Sequence, residues 1–260
     1  QELRMHRIDT ISYGIGMASI FSMFLYFFET FSENTAILDT LMQNFPPEFK
    51  AAFGFSDVSL SSIDGYLTFL FSYVVLIGAV YAMKLGISSL SEEGRTKTSD
   101  FLLTKPIPRQ SVVISKLAAN LALIMMLNLA TYLIFVGQLL AFHGDSLNLV
   151  VFHLQMLSNL WVQLFFIGLG SALATLLPKV KSVMPITLGI VFFFFIIEMV
   201  NQSLNDPKLS YFSPFSYFKG SQILRDSAYR PEYLALCLAV ALIGMGTALW
   251  HYVKKDIHAV

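Results

Sequence analysis

Five histidines, one cysteine and an adjacent pair of glutamates are the side chains of this chain best suited to chemistry. A zinc-dependent membrane protease would place two histidines one helical turn apart in H-E-x-x-H, with the glutamate as base. His6, His143, His153, His251 and His258 are scattered, and none opens such a motif. Glu92-Glu93 could begin an E-E-x-x-x-R protease motif, but Arg95 follows Glu93 by only two positions and the pair lies between apolar runs. Cys237 sits inside an apolar run, where a thiol behaves as a small hydrophobe, and a single cysteine permits no intrachain disulfide. The chain has no Gly-Lys pair and hence no G-x-x-x-x-G-K-[ST] phosphate cradle. The reading is therefore not an enzyme, with no catalytic, cofactor or metal site of its own. If ATP drives it, the nucleotide and its Mg²⁺ belong on another chain.

The remaining chemistry is that of polar groups among apolar ones. An ion-coupled carrier needs charges inside the membrane as handles for its ion. Lys84 and Glu198 are the ionisable residues within long apolar runs, and both fall near run ends: Lys84 can snorkel to the interface, and Glu198 is expected there too. Asn120, Asn128, Gln138, Asn159 and Gln163 can hydrogen-bond between helices. Of all these, Asn128, Gln138 and Glu198 are the residues that could line a translocation path. Gly14 with Ala18 and Gly170 with Ala174 are small residues at helical spacing, suited to close crossings.

The elements holding these groups follow from hydropathy. Of 260 residues 55% are hydrophobic and 13% charged, against about one quarter charged in soluble domains, too few to cover a water-soluble fold. A membrane helix needs about 20 mostly apolar residues. Six segments qualify: Ile11–Phe28, Tyr66–Leu90, Leu117–Phe142, Leu147–Leu177, Val183–Val200 and Tyr233–Val253. The first is too long for the core of a signal peptide and runs into Phe27-Phe28-Glu29-Thr30-Phe31 instead of an A-x-A site, so it is read as a retained span. The fourth, 31 residues without charge, is too long for one straight span, and its start around His153, Gln155 and Asn159 is expected to lie at the interface or bend. The expectation is an all-α integral membrane protein, a single transmembrane domain over residues 1–260.

Lysines and arginines set the orientation. With both termini cytoplasmic, that side carries Arg4, Arg7, Arg95, Lys97, Lys105, Arg109, Lys116, Lys179, Lys181, Lys254 and Lys255, and the other side Lys50, Lys208, Lys219, Arg225 and Arg230. Outside, Ile37, Leu38, Leu41, Met42 and Phe45 recur at helical spacing before Pro46-Pro47, so a short helix lying on the outer face is expected. The last outer loop, around Tyr211-Phe212-Ser213-Pro214-Phe215-Ser216-Tyr217-Phe218, fits either an aromatic belt at the interface or a partly re-entrant plug.

Between spans two and three the cytoplasmic loop runs Glu92-Glu93-Gly94-Arg95-Thr96 through Asp100 to an apolar knob, Phe101-Leu102-Leu103, then Lys105-Pro106-Ile107-Pro108-Arg109 and Lys116. The prolines stop any helix and turn the chain back. An apolar knob on a charged loop fits a groove on a partner; it could also dip into the lipid interface. The segment resembles the signature loop of ABC-2 type transporter permeases, matching at Glu92, Glu93, Gly94, Thr96, Leu102, Leu103, Lys105, Pro106, Arg109 and Lys116. It departs in Arg95, inserted between Gly94 and Thr96, and in Pro108 where serine is usual. The basic N-terminal segment, Phe45-Pro46-Pro47 and Ser213-Pro214-Phe215 extend the likeness over most of the chain.

The resemblance implies the membrane subunit of an ABC transporter in the cytoplasmic (inner) membrane, paired with a second permease subunit and two ATPase subunits that bind ATP and Mg²⁺. Glu92, Glu93, Arg95, Asp100, Phe101, Leu102, Leu103, Pro106 and Arg109 would form a coupling helix seated in the ATPase. Glu2–Asp9 would lie along the inner face as an amphipathic connecting helix. In bacteria the family is chiefly one of exporters, and spans so poor in charge suit a hydrophobic or amphipathic cargo. Membrane lipid is a further partner, and zero formal net charge gives no pull toward nucleic acid. The rival readings are an ion-coupled carrier, or a non-transporting anchor that binds a cytoplasmic partner through the same loop.

Overall fold

The structure, a computed structural model, describes residues 5–33, 44–55, 58–96, 108–142, 147–177 and 180–254. Every regular element among them is helical. The elements are α1 (Arg7–Glu33), α2 (Pro47–Ala52), α3 (Ile63–Thr96), α4 (Arg109–Phe142), α5 (Leu149–Leu176), α6 (Val183–Leu204), a 3₁₀ turn (Leu209–Tyr211), α7 (Pro214–Tyr217), α8 (Gly220–Asp226) and α9 (Pro231–Lys254). Six of them, α1, α3, α4, α5, α6 and α9, are long and apolar enough to cross a membrane, one for each expected span.

Local chemistry sets the ends. Pro47, Pro214 and Pro231 open their helices, where a missing N–H costs nothing and the fixed φ suits the first turn. The Asn148 side chain caps α5 by accepting from the Val150 and Val151 amides at 3.2 and 3.3 Å. Asn205 and Ser227 close α6 and α8 in the left-handed region, at φ 52° and 48°.

The fourth span does not break into two helices. It is one continuous helix beginning after Asn148, and Gln155 and Asn159 are buried against neighbouring helices. Of the polar residues near its start, Gln155 and Asn159 thus face protein, while His153 is exposed.

Most of α3 and α5 is enclosed, whereas α1, α4, α6 and α9 are buried over a third of their lengths or less. α5 is held between α3 and α9 by glycines. A Cβ on Gly86 of α3 would lie 2.7 Å from the Ile167 carbonyl oxygen, and one on Gly170 of α5 2.9 Å from that of Met83. On the other side, a Cβ on Gly244 of α9 would lie 2.4 Å from the Gly168 carbonyl oxygen. Lipid chains are as apolar as leucine, so close backbone approach of this kind is what holds membrane helices together. Gly170 thus makes the crossing its spacing suggested, while Gly14 meets only the Leu127 side chain.

α1 and α4 pair through the stacked rings of Phe21 and Phe135, centroids 3.9 Å apart, with Phe71 of α3 tilted against both. The outward faces remain apolar: Ile15, Met126, Leu133, Phe193, Leu242 and Ile243 are all exposed. That sidedness suits hydrocarbon or another membrane surface.

Candidate functional site

Three polar groupings stand along the bundle, one at the end where α1 begins, one near its middle and one at the far end. At the first end, the 34 residues of α3 and of α4 are each about 51 Å long at 1.5 Å per residue, against about 30 Å of hydrocarbon. The excess projects on the side where α1 starts. Lys84 of α3 pairs with Asp9 at 2.8 Å, both partly exposed, and lies 5.7 Å from the Tyr13 ring. α3 then continues from Lys84 to Thr96, about 18 Å further. Lys84 therefore finds a carboxylate where α1 begins.

Below that level α3 and α4 are clasped. The buried Lys116 donates to the Ser89 carbonyl at 2.7 Å, and Asn120 Nδ2 donates to Ser89 Oγ at 2.7 Å. The two helices form a clasped stalk at this end, still packed on α5 and α9 through Leu90, Val113, Ala174 and Ala248. Glu92 is half-buried on α3, Glu93 and Arg95 fall in its last turn, and Arg109 opens α4. Asp100, Phe101, Leu102, Leu103 and Pro106 lie outside the described residues, as does the expected amphipathic stretch through Met42. At the N-terminus, residues 7–9 belong to α1 itself, and residues 1–4 lie outside the described residues.

The middle grouping joins α4 and α5. Asn128 Nδ2 donates to Gln163 Oε1 at 2.5 Å, and Asn159 Nδ2 donates to Asn128 Oδ1 at 3.0 Å. Gly78 of α3 makes room for them, since a Cβ there would sit 2.2 Å from Asn159 Oδ1. Asn128 is thus an interhelical tie. Gln138 is another, donating to Ser22 Oγ across α1 and α4. Of the three residues that could line a path, Glu198 borders the cavity described next.

That cavity, of ≈ 70 Å³, lies at the far end among α3, α5, α6 and the folded-back segment 213–221. The middle of the last outer loop packs inward at this end of the bundle. Pro214, Phe215, Ser216 and Tyr217 are all buried. Ser213 is fully buried and works twice, capping α7 through the Phe215 amide at 3.3 Å and donating to the Phe194 carbonyl of α6 at 2.9 Å. Phe215 packs on Phe166 and Phe195, and Tyr217 stacks on Tyr233 at 5.4 Å. Burial pushes the phenols of Tyr217 and Tyr229 up to about 12. Each stays a neutral donor, Tyr217 to the Tyr211 carbonyl at 2.7 Å and Tyr229 to that of Leu154.

Glu198 is only 3% exposed, enclosed by protein near the end of its helix. It lies inside α6, and segment 213–221 covers it. Ser216 Oγ donates to one carboxylate oxygen and Gln202 Nε2 to the other, the latter at 2.9 Å. Thr68, Gln155, Ser158 and Lys219 complete the polar lining, and Gln155 donates to Thr68 at 2.6 Å. The sequence carried a partial signal for these residues: Glu198 with Gln202, and Gln155 with Ser158 and Asn159, are polar at helical spacing in apolar runs. Lys219 and Ser216, on the loop, carried none.

These features define a multi-pass membrane protein whose second and third spans project from one end and whose last connection folds back into the other. The family model described as ABC-2 family transporter protein matches residues 7–257, and the chain belongs to that family, the membrane-embedded permeases of ABC transporters. A comparison with curated proteins finds none that matches.

Proposed function

We propose that this chain is the membrane-spanning subunit of an ATP-driven exporter that moves a hydrophobic or amphipathic cargo across the cytoplasmic membrane. It works as one transmembrane unit, both termini cytoplasmic, beside a second permease subunit of the same or a related kind. Two ABC ATPase subunits bind ATP and Mg²⁺. The observation that carries the reading is the long α3–α4 pair: each helix is about 20 Å longer than the hydrocarbon is thick, and Lys116 and Asn120 clasp the pair at Ser89. A helix pair fixed in this way transmits a push at its tips into the spans as a rigid lever, biasing two packings of the bundle. Residues 92–109 are the surface for the ATPase, with Phe101, Leu102 and Leu103 as the knob in its groove. The exposed apolar faces of the outer spans supply lipid contact and the permease pairing.

The test is affinity purification of the tagged chain in mild detergent, with ATP hydrolysis and cargo transport measured on what co-purifies. A stoichiometric ATPase is expected, with hydrolysis uncoupled from transport by Phe101→Asp or Leu102→Asp while insertion is unchanged. Normal transport by these variants would refute the coupling role.

Glu198 beside a cavity favours one other reading, an ion-coupled carrier. The two separate cleanly: a carrier loses transport when the proton or sodium gradient is dissipated, whereas the exporter loses it when ATP is withdrawn.

A further inference from the structure

The Glu198 cavity has features that coupling to an ATPase does not require. Thr68 is five residues into α3, Gln155 six into α5 and Glu198 six from the end of α6, so three spans bring polar groups to one level, about 8–9 Å inside the helix ends. At that depth a membrane passes from head groups to acyl chains. Glu198 is buried and accepts from Ser216 and Gln202, yet a carboxylate has about four lone-pair sites, and its residue lines the cavity. Lys219 lines the same cavity and lies close enough for its charge to act on Glu198. The lining thus carries an acidic and a basic side chain together with the rings of Phe195, Phe215 and Phe218.

The cavity also has a side exit. A second hollow, of ≈ 20 Å³, shares Phe53, Ser72, Phe195 and Gln202 with it and continues to Tyr73 of α3 and Met199 of α6. Ser72 is exposed and stands nine residues into α3, about 14 Å from its start, facing the depth of the acyl chains.

We propose that this cavity binds the zwitterionic head group of an amphipathic molecule, its ammonium against Glu198 and its phosphate or carboxylate toward Lys219, with the apolar chain leaving past Ser72 between α3 and α6. Charges of both signs on one lining suit a head group that carries both signs. The aromatic faces add attraction for the ammonium. The volume admits a head group and not a whole amphiphile, and the side exit spares the chain from entering. The molecule is either a resident phospholipid or the exported cargo, and the site stands independently of the ATPase reading.

The experiment is native mass spectrometry of the purified full-length chain incubated with equal amounts of phosphatidylethanolamine and phosphatidylglycerol. The expected result is retention of the ethanolamine lipid about tenfold over the glycerol lipid, the preference disappearing in Glu198→Gln and in Lys219→Gln. Ser72→Phe, which fills the mouth while leaving both charges in place, lowers retention of the ethanolamine lipid and serves if a charge variant fails to fold. Equal retention of the two lipids by the wild type overturns the proposal. A second arm separates the sources. In proteoliposomes containing the chain with its ATPase, a labelled phosphatidylethanolamine that changes leaflet only with ATP identifies cargo, whereas one that stays bound through turnover identifies a resident lipid. Because retention is read on the chain alone, failure to recruit an ATPase refutes the proposed transport function and leaves this site standing.

Discussion

The contact between α5 and α9 can be tested by adding a single methyl group. In Gly244→Ala the new Cβ would lie 2.4 Å from the Gly168 carbonyl oxygen and 2.5 Å from its carbonyl carbon. Both are backbone atoms, so no side-chain rotation relieves the clash, and ordinary contact begins at 3.4 Å. The helices must therefore part by roughly 1 Å. Overpacking of this kind costs about 1–3 kcal/mol, and no hydrophobic gain offsets it between membrane helices. Two residues on, a Cβ at Gly246 has nothing within 4 Å, so Gly246→Ala should gain up to about 1 kcal/mol of helix propensity. Both variants make the same chemical change on the same helix, and propensity cancels between them. The difference then isolates the close approach, and at about 2–4 °C per kcal/mol for chains of this size Gly244→Ala should melt roughly 2–12 °C below Gly246→Ala. The assay is thermal unfolding of the purified protein in one detergent, followed by intrinsic fluorescence and by the loss of monodisperse material. Equal melting temperatures would refute the packing of α9 on α5 at this level.

Asn159→Leu should destabilise the bundle by about 1–3 kcal/mol, because Asn128 Oδ1 loses its donor in a buried site; thermal unfolding checks it. Ser213→Ala removes a helix cap and a bond to the Phe194 carbonyl, so amides of residues 213–221 should exchange faster with deuterium while those of α5 stay protected. Lys116→Met should loosen the α3–α4 clasp and lower coupled ATP hydrolysis in the assembled complex without preventing insertion. Raised phenol values mean that Tyr217 and Tyr229 ionise near 10 when unfolded and near 12 when folded. Their contribution to stability is thus present below about pH 10 and lost as pH rises toward about 12; in wild type minus Tyr217→Phe difference spectra, the phenolate absorption should appear only near the upper value.

How much of this was legible in the sequence depends on the range of the interaction responsible. The six spans were legible, because each needs only its own apolar residues to match the hydrocarbon. Their ends were less so. α3 and α4 run past the apolar limits at Leu90 and Leu117 because helix geometry continues through charged residues, and in α3 through Gly94, where no proline interrupts it. The stop before Arg109 was legible in Pro106 and Pro108 for the same local reason. The close crossing at Gly170 was legible as a small residue at helical spacing. Its partner Gly86 was not, since nothing in one helix says which neighbour it will face.

The candidate site was the least legible part, and Glu198 shows why. A carboxylate six residues before Leu204 looks solvent-facing as long as the following chain is taken to lead away from the bundle. Its burial depends on residues 213–221 returning, and that return depends on Ser213 finding the Phe194 carbonyl and on Phe215 and Tyr217 finding rings on α5, α6 and α9. Each of these contacts is long-range, and each residue taken alone is ordinary for an aromatic interfacial loop. A buried carboxylate needs partners, so the burial of Glu198 and the folding back of the loop are one event: Ser216 supplies a bond to Glu198 only when the segment is in place, and the segment covers Glu198 only when it is anchored. That mutual dependence is the physical reason for expecting Glu198→Gln and Ser213→Ala both to disturb the far end of the bundle while leaving the stalk at the other end intact.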